Sequence, residues 1–138
     1  MNDVNPDDGR RLEIAQRNQR RTLNERDYKL MMTMFGILAY SAFANLVGSA
    51  LQMYAISRLL PTTVCTLVIG VMYAVAAHQV WVKKYAASWL VALPAILTIA
   101  LLTLTQTFSP VALLLNVILL ITIPLRAKVQ RTLVAVPN

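Results

Sequence analysis

The chain has 138 residues, of which 57% are hydrophobic and only 14% charged, against about 25% charged in a soluble domain. Its six acids (Asp3, Asp7, Asp8, Glu13, Glu25 and Asp27) all precede residue 28, and from Leu30 onward there are six bases and no acid. The net charge of +7 therefore belongs mainly to the breaks and tail of an apolar body. This sets aside nucleic-acid binding in spite of a pI near 10.1, because the later bases punctuate apolar runs instead of lining one folded face. The single cysteine, Cys65, rules out an intramolecular disulfide and a cysteine-built zinc site. The chain has no Asn-x-Ser/Thr sequon.

Residues 1–29 form a charged segment. From Arg10 to Lys29 there is no proline or glycine, and Glu13/Arg17 and Glu25/Lys29 have the acid-before-base i, i+4 spacing that supports a helix. Its apolar stripe (Leu12, Ile14, Ala15, Leu23) is weak. The segment reads as a short solvated helical arm, with Arg17, Arg20 and Arg21 for the cytoplasmic surface, anionic headgroups or a docking partner. Gln19-Arg20-Arg21-Thr22-Leu23 has a faint twin-arginine look. The apolar run that follows continues far past Ala44, so an uncleaved signal-anchor fits better than a removed export signal.

That run, Leu30–Ser57, has no charge. It reaches ~42 Å at ~1.5 Å per residue, more than the ~30 Å hydrocarbon core of a bilayer. The first span is expected at about 30–55. Pro61 suits the first turn of a second helix, expected at about 60–82 and closed by Trp81, Lys83, Lys84, Tyr85 and Trp89, an interfacial aromatic and basic cluster. From Tyr85 to Leu125 the chain is again uncharged. One helix of that length would reach ~60 Å, about twice the hydrocarbon core, so the segment should fold back. The polar interruption Thr103–Pro110, with Ser109 as N-cap and Pro110 in the first turn, divides it into spans at about 86–105 and 110–125. A re-entrant hairpin is the alternative. Pro94 should kink the third span. Arg126, Lys128 and Arg131 close the fourth. The expected fold is thus an all-α polytopic membrane protein: a charged cytoplasmic arm (1–29), a domain of four transmembrane helices (30–126) and a short basic cytoplasmic tail (127–138). Counting bases puts Arg58 alone on one side and all others on the other. This places both termini in the cytoplasm, and the expected location is a cell membrane of the bacterial inner type.

The expected spans contain no Asp, Glu, Lys or Arg, which argues against an ion-coupled transporter and a carboxylate-based enzyme. No phosphate loop, nucleophile elbow or metal-spaced histidine pair is present, and no cofactor, metal or small-molecule substrate is expected. His78 has no acid, cysteine or second histidine near it in sequence, and reads as an interfacial residue bonded to water or backbone.

The spans do carry small and polar residues at helical spacing. Ser41, Asn45, Gly48 and Gln52 fall within a ~60° arc bordered by Ala44 and Ala55, and Ala44-x-x-x-Gly48 is a small-xxx-small pair. Thr62, Thr66, Gly70, Tyr73 and Ala77 repeat the pattern in the second span, and Ser88, Ala92 and Ala95 do so more weakly in the third. Asn45 and Asn116 lie at mid-span, where an amide needs a partner. They are expected to face the bundle interior, in reach of one another, with Gln52 and Gln106 meeting nearer the outer interface. These residues point to helix packing or to binding of another chain. The leading reading is a non-enzymatic accessory, assembly or immunity-type interaction protein, self-associating or bound to another membrane protein. The second is a small oligomeric channel or transporter with an uncharged polar path through Ser41, Asn45, Thr66, Tyr73 and His78.

Overall fold

The computed structural model describes residues 5–56, 60–83, 88–106 and 109–136. Ser57, Arg58, Lys84 and Tyr85, and the side chains of Lys83 and Ser88, lie outside the described residues. Those described form four α-helices and no strand: α1 (Pro6–Ile56), α2 (Pro61–Lys83), α3 (Ser88–Leu104) and α4 (Pro110–Ala135). Three of them, α1, α2 and α4, are long and apolar enough to cross a membrane, the mark of a membrane protein. α3 has 17 residues, or ~26 Å.

The helix starts obey local chemistry. Pro61 and Pro110 each open a helix, where a missing N–H costs nothing and φ is already helical. Ser109 holds the N-cap position with extended backbone, φ −124° and ψ 100°, although its hydroxyl makes no capping bond. α3 ends in a reversal at Gln106. Its φ is +52° and its N–H donates to Thr103 O at 3.2 Å. That left-handed position usually belongs to glycine. Pro94 does lie inside α3, and Pro124 inside α4.

No break in the helix marks the expected boundary of arm and first span at 29/30. α1 is one uninterrupted helix of 51 residues, ~76 Å long. The change from polar to apolar composition alters the surroundings of the helix, not its hydrogen bonding, and nothing between Arg10 and Phe35 breaks a helix. Glu25 and Lys29 form the anticipated i, i+4 ion pair at 3.0 Å. Helix α4 likewise continues ten residues beyond 125, to Ala135. This extension lies along α1, so that Leu23 and Leu30 share a groove with Leu125 and Val129.

Each helix packs on two neighbours in the ring order α1–α2–α3–α4, leaving α1/α3 and α2/α4 as diagonals. The last turn of α1, the first turn of α2 and the facing ends of α3 and α4 meet at one pole, since Gln52, Thr62, Thr105 and Ser109 line a common cavity. Toward the opposite pole the ring is filled. Met31, Met34, Leu38, Tyr73, Ala76, Val80, Val91, Ala95 and Leu119 are buried there. Phe35 and Trp81 add a tilted ring pair with centroids 4.9 Å apart. The structure is solid at the end near the termini and hollow at the other.

Candidate functional site: an uncharged polar cavity

The hollow end holds a half-open cavity of about 530 Å³ lined by all four helices. Its wall includes Tyr40, Ser41, Ala44, Asn45 and Gln52 from α1, and Thr62 and Thr66 from α2. Thr98, Leu101 and Thr105 come from α3, with Ser109, Ala112 and Asn116 from the α4 end. Among the described residues none that lines the cavity is charged. Hydroxyl and amide groups alternate with leucine, isoleucine and alanine, a mixture that offers hydrogen bonds without net charge.

Tyr73 lies behind the wall, bonded to Thr98 and Asn116, which line the cavity. It is fully buried and crosses the ring diagonal from α2. Its hydroxyl donates to Asn116 Oδ1 and lies 2.9 Å from Thr98 Oγ1 and 3.3 Å from Pro94 O. Asn116 Nδ2 donates back to Ala112 O at 2.7 Å. The sequence-based expectation for Asn116 holds as to burial. Its link to Asn45 is corrected: both line the cavity, but Asn45 Nδ2 donates to Ser41 O at 2.7 Å, and the partner of Asn116 is Tyr73. Asparagine is too short to cross a diagonal that the longer tyrosine spans. Gln52 meets Thr63, whose hydroxyl donates to Gln52 Oε1 at 3.1 Å, in place of Gln106.

Many lining groups spend their protons on their own helix. Thr66 donates to Thr62 O at 2.8 Å, Thr98 to Pro94 O at 2.8 Å and Thr105 to Leu101 O at 2.7 Å. Such back-bonding four residues along the helix is the usual refuge of a helical threonine. It leaves the oxygen, not the hydrogen, facing away from the helix axis.

The small-residue stripes divide. Gly70 is where α1 and α2 approach: a Cβ there would sit 3.1 Å from Asn45 Cβ and from Leu46 Cγ and Cδ2. Gly48 is the opposite case, since a Cβ there would meet nothing within 4 Å, and Ala44 is exposed. In the first stripe Ser41 is buried, Asn45 and Gly48 are half-buried and Gln52 is exposed; in the second, Thr66 is half-buried, and Gly70 and Tyr73 are buried.

The basic residues divide as well. Arg17, Arg20, Arg21 and Lys128 are exposed. Arg126, expected at the surface, is 5% exposed, and its Nε lies 3.2 Å from Asp27 Oδ1. It is a buried link between α1 and α4, because both helices run on past the point where the apolar sequence stops. Sequence reasoning missed this pair, and with it Thr63, Thr98 and Tyr40. His78 is exposed on α2 and does not line the cavity. Among the described residues no group of three or more His, Cys, Asp or Glu gathers into a metal site.

The fold and cavity thus define a helical protein of membrane type with an uncharged polar hollow at one pole. No protein-family model, no curated protein and no solved structure matches this chain.

Proposed function

We propose that the protein is a non-catalytic component of a membrane assembly. In this reading all four helices span the bilayer, with both termini in the cytoplasm, and α1 holds another membrane protein or a second copy. The observation that supports it is the exposed apolar row Phe43, Val47, Leu51 and Tyr54 on α1, beside the open backbone at Gly48; Ala44 itself also lines the cavity. Helix α1 buries Ser41, Ala42 and Ser49 within the ring, yet a side chain at Gly48 would touch nothing. A lipid tail gains little from a bare backbone, while a partner helix gains close approach. The charged first turns of α1, with exposed Leu12 and Ile14, would supply a second contact in the cytosol, near anionic headgroups.

The test is association of the full chain in mild detergent. Gly48→Leu should abolish co-purification of a stoichiometric partner, or the self-association, while the thermal midpoint stays within a few degrees of wild type. Undiminished association of Gly48→Leu would overturn the reading. Orientation is tested by membrane-impermeant thiol labelling in a Cys65→Ser background. Leu12→Cys and Val134→Cys should react from one side and Tyr54→Cys from the other.

The polar cavity favours a second reading, a small oligomeric channel or transporter with an uncharged path. Below the cavity, Leu38, Tyr73, Val80 and Leu119 are buried, so passage would require their packing to open. Flux into liposomes holding only this protein, lost in Asn45→Leu, would support it. Silent liposomes would dismiss it.

A further inference from the structure

Around Asn45, Thr66 and Thr98 the cavity wall presents hydrogen-bond acceptors. Thr66 and Thr98 donate to backbone carbonyls of their own helices, and the Asn45 amide donates to Ser41 O. Asn45 Oδ1 and the outward lone pairs of Thr66 remain for an occupant. Asn116 Oδ1 is taken by the Tyr73 hydroxyl behind the wall. Among the described residues none that lines the cavity is cationic, so they offer an anion no charged donor, and none is a carboxylate, so they offer a divalent cation no hard charged ligand. An ammonium group offers three donors and no acceptor, the complement of such a wall. The volume, about 530 Å³, exceeds that of a bare ion, and Ile69, Leu101 and Leu115 supply apolar wall for a short carbon chain.

We infer that the cavity is a binding site for a small primary ammonium ion, its N–H donors directed at Asn45 Oδ1 and Thr66 Oγ1 and its alkyl part against Leu101 and Leu115. This goes beyond the assembly reading and does not depend on it. It extends the second reading by naming the class of molecule the hollow would accept. Binding is measured at equilibrium, so a failure to conduct and a failure to bind are separate results.

The probe is propylammonium, titrated against the full-length protein in detergent with the thermal midpoint as readout. Propanol, propionamide, tetramethylammonium and propionate, which lack the ammonium charge or its N–H donors, serve as comparisons. The expected result is a saturable rise in midpoint with propylammonium alone. Thr66→Val, which keeps shape and only removes the hydroxyl of a half-buried residue, should weaken half-saturation roughly fivefold or more, as loss of one charge-assisted bond does. Asn45→Leu should do the same. Thr103→Val, which removes an exposed hydroxyl back-bonded to Ile99 O away from the cavity, should leave half-saturation unchanged. No saturable shift with propylammonium would overturn the inference. So would an equal shift with tetramethylammonium or propanol, or undiminished binding by Thr66→Val.

Discussion

Tyr73 and Asn116 join diagonal helices by a single side-chain bond inside a ring whose other contacts are between neighbours. Removing the hydroxyl in Tyr73→Phe takes from Asn116 Oδ1 its side-chain partner on a residue only 2% exposed. The expected cost is about 1–3 kcal/mol, the usual penalty for a buried polar atom left without a partner. Tyr73→Phe/Asn116→Leu should recover part of that loss, because no orphan remains. A double-mutant cycle on reversible unfolding in detergent measures the coupling. The two glycines make a complementary pair of tests. Gly48→Ala adds a methyl to open space and should stabilise by up to ~1 kcal/mol through helix propensity. Gly70→Val must instead displace Asn45 or Leu46, and should destabilise by about 1–3 kcal/mol as overpacking does.

At the scale of the helix, the Asp27–Arg126 pair fastens the extension of α4 to α1. Asp27 is 24% exposed at its side chain and Arg126 6%, so the pair is largely sheltered from screening. Asp27→Ala leaves a buried guanidinium without this carboxylate, and should cost more than replacing both partners by apolar residues. Limited trypsinolysis provides the measurement: cleavage after Lys128 and Arg131 should accelerate severalfold in Asp27→Ala. The double variant Asp27→Leu/Arg126→Met should be cut more slowly at Lys128 and Arg131 than Asp27→Ala. The reversal after α3 gives another outcome. Gln106→Gly relieves a side chain from left-handed backbone and should stabilise by about 0.5–1 kcal/mol, read as a rise in thermal midpoint.

For the whole molecule, the division into a solid and a hollow half predicts uneven protection. Backbone amides of 31–42 and 73–80 should exchange with solvent deuterium more slowly than those of 44–56 and 61–70, where apolar packing is sparser. Mass spectrometry of peptic fragments resolves this difference. Much of the helical layout was legible in sequence, because prolines and uncharged runs act locally: Pro61 and Pro110 open helices as read, and Asn116 is buried as read. What was not legible depends on facing partners. The motif at Ala44–Gly48 is as good as the setting of Gly70, but only the second lies where α1 meets α2. Tyr73 and Asn116 were each singled out without their bond, since spacing along one helix carries no register between helices. Arg126 looked like a surface residue because its partner, Asp27, sits 99 positions away in a segment that reads as a separate arm.

The unbroken backbone of α1 also has a mechanical side. Leu12, in the exposed charged turns, and Asn45, in the cavity wall, stand on one rod ~50 Å apart. The only proline of α1 is its first residue, so no proline hinge absorbs a twist between them. A torque applied to the polar end is carried past Asp27, where α4 grips the rod, into the wall that bears Ser41 and Asn45. Rolling the rod by a small angle would swing those two side chains relative to the hollow.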